Sequence, residues 1–302
     1  MMVENQRSTK RLVPRQGYAS RTFLVQGDPP KVLKSYHHPR TRAELARTAQ
    51  IQNDLAGAFS VPTVYDFGFD AESSNGFLIM EHLPGTTLRA VPWSVTSDSI
   101  RSLVDIIGEL SCAITVNSPR ACVQKGRFYA DIASLIDRTH TILEERKSGF
   151  STHARLISGV VRGSELLGCT DQVDSWIHND LSADNVLIER GSVSGIIDFD
   201  SIRVGDLAWD YHYALAHALY AGVDPSHIKT VVSERPELFD RSGRATAKIS
   251  SAYVALQPVM VLPRRIDLEP DRRTELISTT HAAVEAYLER DAYVALIDEV
   301  SS

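Results

Sequence analysis

Short runs of alternating apolar and polar residues open the chain. Arg21 to Gln26 and Lys31 to Tyr36 carry strand-like patterns on either side of Gly27-Asp28-Pro29-Pro30, which predicts a hairpin. From Arg40 to Ala58 the period changes. Ala43, Leu45, Ala46, Ala49, Ile51, Leu55 and Ala56 recur at helical spacing, and Gly57 helps to end the helix. Strand patterns return at Val61 to Phe69 and Gly76 to His82, joined by a turn at Ser73-Ser74-Asn75-Gly76. Residues 1–83 therefore read as a mostly antiparallel sheet with one helix.

Beyond Leu83-Pro84-Gly85 the texture is helical. Ile100, Leu103, Val104, Ile107, Leu110, Ala113 and Ile114 follow the capping candidates Thr96, Ser97 and Asp98. Further helical patterns cover Tyr129 to Arg146, His153 to Leu167, Asp206 to Tyr220, Pro225 to Val232, Arg244 to Val261 and Arg272 to Asp298. Short strands interrupt them only between Asp174 and Phe199. The predicted class is α+β, in two lobes: 1–83, with a flexible end over 1–15, and 84–302. A chain of 302 residues is long enough for such a division.

Composition narrows the functional classes. Apolar residues make up 43% and charged residues 23%, as in an ordinary soluble globular protein. A net charge of −6 and a pI near 5.9 argue against general nucleic-acid binding. The first fifteen residues are polar and mildly basic with no apolar run, so neither a signal peptide nor a membrane anchor is expected, and a cytoplasmic address follows. Cys112, Cys122 and Cys169 form no C-x-x-C pair and suggest neither a disulfide framework nor a zinc site.

The chemistry concentrates in Trp176-Ile177-His178-Asn179-Asp180, continues through Asn185-Val186-Leu187-Ile188, and ends at Gly195-Ile196-Ile197-Asp198-Phe199-Asp200. Each polar group adjoins a β-forming apolar run, and short buried strands ending in loops hold side chains rigidly. Phosphoryl transfer needs such positioning, because its transition state is stabilised mainly by metal charge and in-line alignment. A carboxylate at Asp180 can orient an incoming hydroxyl and take its proton. Asn185 offers a neutral amide oxygen and Asp198 a hard anionic one, a pair suited to Mg2+. With Asp180 as base, His178 is expected to brace the loop by a hydrogen bond. Asp200 has several readings open: metal, water or substrate contact, or a plain loop carboxylate.

The pattern H-x-D-x-x-x-x-N, followed by Asp198, resembles the catalytic loop and metal aspartate of the protein-kinase superfamily. Asn179 and Asp200 stand where protein kinases carry Arg and Gly, which turns the reading away from protein substrates. Together with Gly205-Asp206-Leu207-Ala208-Trp209-Asp210, the segment looks like the aminoglycoside phosphotransferase and choline kinase-like family. The resemblance implies a bilobal protein-kinase-like fold, ATP as donor with GTP not excluded, and structural roles for Asp206 and Asp210. It also implies a nucleotide-binding amino-terminal lobe. Gly17-Tyr18-Ala19-Ser20 is then the phosphate-loop candidate, with Ser20 offering a hydroxyl, and Lys34 the ammonium beside the phosphates. Glu44, one turn into the next helix, could pair with Lys34. Met80 would sit behind the base, and the backbone from Glu81 to Leu83 would meet its edge. No P-loop or Rossmann signature competes with this arrangement.

Substrate identity is less legible. Acidic residues outnumber basic ones from Ile197 to Asp240 and again from Thr274 to the end, and helices lining a cleft would there attract a cationic amino sugar or a basic peptide antibiotic. A solvated helix face explains the same charges. Arg264, Arg265, Arg272 and Arg273 argue locally for an anionic metabolite. Trp209, Tyr211, Tyr213 and Tyr220 fall at helical spacings, as core aromatics do, and do not identify choline. The leading reading is an antibiotic-inactivating kinase of aminoglycoside type. A metabolic kinase for choline, homoserine or a sugar, and a nucleotide-binding pseudokinase without turnover, are the alternatives.

Overall fold

A five-stranded antiparallel sheet in the order β1-β2-β3-β5-β4 carries the amino-terminal half of the computed structural model. Its strands are β1 (Lys10–Arg11), β2 (Ser20–Val25), β3 (Lys31–Tyr36), β4 (Val64–Phe69) and β5 (Gly76–Glu81). The structure describes residues 10–11, 20–117 and 175–235, together with Ser134 and scattered positions between 246 and 299. The helices expected over Tyr129 to Arg146, His153 to Leu167, Arg244 to Val261 and Arg272 to Asp298 lie wholly or largely outside the described residues, as does Gly17 to Ala19.

In the predicted hairpin, Ser20 lies opposite Tyr36 and Val25 opposite Lys31. Side chains two apart on a strand share a face. Lys34 and Tyr36 accordingly turn inward together, and both are buried. Helix α1 (Arg42–Ala56) lies against the sheet. A capping box starts it: the Glu44 N–H donates to Thr41 Oγ1 at 3.2 Å, and the Thr41 N–H donates to Glu44 Oε2 at 2.7 Å. Leu45 and Ala49 join Tyr36, Val64, Leu78 and Met80 in a small core. Farther along the same helix, Ile51 and Leu55 join Val61 in the larger core of the rest of the molecule.

That larger core gathers around α2 (Ser97–Asn117), α3 (Leu207–Ala221) and α4 (Pro225–Glu234). Thr96 and Ser99 cap α2 reciprocally through side chain and backbone. Asp206 caps α3, accepting from the Ala208 N–H at 2.9 Å, and Gly222 closes it at φ 103, in the left-handed region that favours glycine. Helix α3 is buried without interruption from Trp209 to Ala218, as a central helix must be.

Two small antiparallel sheets frame the segment between α2 and α3: β6 (Thr86–Thr87) with β8 (Val186–Glu189) and β9 (Ser192–Ile196), and β7 (Ser175–Ile177) with β10 (Arg203–Gly205). The chain leaving β5 packs directly on β9. Ser194 Oγ donates to the Pro84 carbonyl at 2.9 Å, and the Ile196 N–H donates to the Ser60 carbonyl at 3.0 Å. A Cβ at Gly195 would come within 2.6 Å of Leu83 Cδ1 and 3.0 Å of the Ser60 carbonyl oxygen, so a larger residue here would displace the leucine tip and crowd the backbone. Among the described residues, no helix is long and apolar enough to cross a membrane.

Candidate active site

Strand β7 carries the buried pair Trp176 and Ile177 and then releases the chain into a tightly held loop. The carboxylate of Asp210, on α3, receives the His178 N–H at 2.6 Å on Oδ2 and the Asn179 N–H at 2.9 Å on Oδ1. Asn179 takes φ 66, a left-handed conformation that asparagine tolerates better than most residues. The next N–H, of Asp180, donates to His178 Nδ1 at 3.3 Å. Nδ1 is therefore an acceptor, and the ring hydrogen sits on Nε2, 3.1 Å from the Ile197 carbonyl. Burial holds the His178 pKa down to about 4, so the imidazole is neutral and ties the loop to the residue before Asp198.

Asp180 projects from this loop. Tyr213, on α3, donates its hydroxyl to Asp180 Oδ1 at 3.2 Å, and Asn185 Nδ2 donates to the Asp180 carbonyl at 2.8 Å. Burial, reinforced by the charge of Asp198, raises the Asp180 pKa to about 7. A carboxylate so placed is half protonated near neutrality.

The β8–β9 ladder brings the remaining groups together. Val186 lies opposite Ile196, and beyond that pair the Ile197 N–H donates to the Asn185 carbonyl at 3.0 Å, setting Asn185 beside the residue before Asp198. Asp198 stands at φ 68. Its Oδ1 accepts from Lys34 Nζ at 2.7 Å, and Asp200 Oδ2 accepts from the same ammonium at 2.6 Å. Burial alone would lower the pKa of Lys34, but the two carboxylates override it and hold the ammonium charged. Burial would likewise raise Asp198, and Lys34 prevails, keeping its pKa below the ordinary value.

The donor chemistry fits magnesium. With Nδ2 of Asn185 committed to Asp180 and Oδ1 of Asp198 to Lys34, the remaining oxygens, Asn185 Oδ1 and Asp198 Oδ2, are hard donors. The Asp198 side chain is 36% exposed. Among the described residues, no cluster of three or more His, Cys, Asp or Glu gathers as a metal cage. A cation here would complete its shell with phosphate and water, as magnesium does.

Other expected residues fall in varied places. Ser20 is buried at the start of β2, and Met80 is buried in the small core with Leu45 and Leu78. The Glu81 N–H donates to the Thr63 carbonyl, while its carboxylate accepts from the Thr63 N–H, so its own amide is not offered to a base edge. Leu83 packs against β9 beside Gly195. Glu44 departs from expectation: it is exposed and bonded to Thr41, because its position three residues after the N-cap serves the helix terminus and not Lys34. Tyr36 and Tyr213 join the site without being marked in the sequence motifs. Tyr36 could have been found from its spacing to Lys34, since both share one face of β3, whereas nothing local distinguishes Tyr213 from its aromatic neighbours.

The sequence profile of the phosphotransferase enzyme family (APH) matches residues 11–232. The chain belongs to that family. It is therefore an enzyme, a nucleotide-dependent phosphotransferase acting on an alcohol group. Solved structures extend the likeness over nearly the whole phosphotransferase. The GDP and kanamycin complex of APH(2")-IIia superposes with a TM-score of 0.67 at 19% identity, covering 95% of this chain and 93% of the other. The GDP complex of aminoglycoside 2'-phosphotransferase-IIIa gives 0.66 at 18%, covering 94% and 93%. A thermostable mutant of APH(4)-Ia, in ternary complex with AMP-PNP and hygromycin B, gives 0.60 at 18%, covering 92% and 94%. At these identities the likeness establishes the fold, which is bilobal, kinase-like and α+β. A search of curated protein sequences finds no match.

The neutral imidazole of this phosphotransferase sets a pH dependence. Between the ordinary histidine value of 6.5 and the depressed value of about 4, the unfolded chain binds a proton at His178 that the folded chain refuses. This contribution to stability is complete above pH 6.5 and is lost as pH falls towards 4. In urea unfolding, the advantage of wild type over His178→Gln should narrow across that window. A difference that stays constant would show that His178 is not held neutral.

Proposed function

We propose that this enzyme transfers the γ-phosphoryl group of ATP to a hydroxyl of an amine-bearing antibiotic of aminoglycoside type, inactivating it. The observation that carries the reading is the convergence of Asp180, Asn185, Asp198 and Lys34 at one site, with the pKa of Asp180 near 7. Asp180, held at Oδ1 by Tyr213, would take the substrate hydroxyl's proton onto Oδ2 while the hydroxyl oxygen forms its bond to the γ-phosphorus. The bond from the γ-phosphorus to the bridging oxygen breaks, and ADP leaves with the electron pair. Lys34 would hold the phosphates. Asn185 and Asp198 would hold magnesium, whose charge neutralises the phosphate oxygens as the phosphoryl group moves.

The substrate class is supported by the neighbours, whose structures hold kanamycin or hygromycin B. The test is to incubate the full chain with ATP, Mg2+ and a panel of kanamycin, hygromycin B, gentamicin, choline, homoserine and simple sugars, following ADP release and product mass. Gain of one phosphoryl group on an aminoglycoside is the expected result. Phosphorylation of choline, homoserine or a sugar with no aminoglycoside turned over would replace this reading with a metabolic one. ATP binding without turnover across the panel would point to a silent nucleotide-binding protein.

A further inference from the structure

We propose that Asp200 is the positioning residue of Lys34, fixing its ammonium for the nucleotide phosphates from the loop after Asp198 and not from helix α1. The assignment rests on the nucleotide reading given above. It answers a question that the capping box raises: with Glu44 committed to Thr41, some other group must hold the lysine. The other acid of α1, Asp54, accepts from Gln50 Nε2 at 2.7 Å near the far end of the helix.

The two carboxylates on Lys34 are not equivalent. Asp198 is the more open, with 36% of its side chain exposed against 10% for Asp200. Both oxygens of Asp200 have protein partners: Oδ2 accepts from Lys34 at 2.6 Å and Oδ1 from the Tyr36 hydroxyl at 2.7 Å. Lys34 and Tyr36 project from the same face of β3, so a single carboxylate bridges two side chains that the strand itself holds in register. Arg40 closes the far side, with its guanidinium 3.9 Å from Asp200 Oδ2 and 4.9 Å from the centre of the Tyr36 ring. If Asp198 turned to a cation, Lys34 would lose one carboxylate and keep the other. Asp200 is built to stay, because it is wedged among three partners. With both oxygens engaged, it is also poorly placed to serve as a metal ligand.

Isothermal titration of ATP into the full chain at saturating Mg2+ tests this without knowledge of the acceptor. Asp200→Asn should weaken ATP binding by about tenfold or more, the worth of one charge-assisted hydrogen bond. Glu44→Ala should leave the affinity unchanged. Because Asp200 acts through Lys34, the double variant with Lys34→Met should bind ATP no more weakly than Lys34→Met alone. Tyr36→Phe, which removes only a hydroxyl, should weaken ATP by roughly threefold and gives the same reading if Asp200→Asn does not fold. Wild-type affinity in both Asp200→Asn and Tyr36→Phe, or losses that multiply in the double variant, would overturn the assignment. So would a rise in the Mg2+ needed for half-saturation with ATP affinity intact, which would make Asp200 a metal ligand. Failure of the wild type to bind ATP would overturn the nucleotide reading itself.

Discussion

Asparagine in place of Asp180 is expected to lower kcat for phosphoryl transfer by about 10²- to 10⁴-fold, the range for loss of a positioned general base, without weakening ATP binding. The substitution is nearly isosteric. Its amide oxygen can still accept from Tyr213, and Asn185 Nδ2 keeps its bond to the backbone carbonyl, so the loop keeps its shape. A second readout separates loss of the base from loss of the fold. The pKa of Asp180 is raised to about 7 by burial, with Asp198 adding to the shift. A raised carboxyl favours the folded state fully only below the ordinary value of 3.8, and that contribution is lost as pH rises through 7. The neutral variant should therefore be more stable than wild type at pH 8, and the gain should fade towards pH 4. Initial rates with ATP titrations, and urea unfolding at the two pH values, check both halves. A kcat equal to wild type would remove Asp180 from the role of base.

The largest expected loss of stability lies at Asp210, which touches no reacting group. Its carboxylate satisfies the N–H groups of His178 and Asn179 at a buried turn. Alanine would orphan both donors, at about 1–3 kcal/mol each, so Asp210→Ala should cost about 2–6 kcal/mol in urea unfolding. Asparagine retains one acceptor and should fall between alanine and wild type. Activity should drop in step, because the same two amides set the direction in which Asp180 leaves the loop. An alanine variant within about 0.5 kcal/mol of wild type, the range of an ordinary surface substitution, would show that the loop is held elsewhere.

Much of this is legible in the sequence. The hairpin, α1, α2, α3 and α4 announce themselves through periodicity, and their boundaries shift by only a few residues. The predicted strand from Val61 begins at Val64, where pairing with β5 starts and a bulge between Val64 and Asp66 follows. Strands β1, β6 and β10 leave no trace in the pattern, because two or three residues are too short to carry a period. At the site, the spacing of Asp180, Asn185 and Asp198 pointed to one place because their positions are local to a single loop–hairpin unit. Partnerships made across the fold were invisible. Nothing near Asp200 signals that Tyr36 and Lys34 will meet it, and the Glu44 expectation failed because a capping box, itself readable as Thr41-x-x-Glu44, competed for the same side chain.

The division of α1 between two cores bears on how the chain is made. Leu45 and Ala49 can settle on the sheet as soon as β5 has left the ribosome, whereas Ile51, Leu55 and Val61 belong to the larger core, which α2 only begins to supply. The Ser60 carbonyl just beyond α1 waits longer still, until β9 emerges and its Ile196 N–H meets it. The amino-terminal lobe is thus finished in steps, and the last of them comes with the segment that completes the candidate active site.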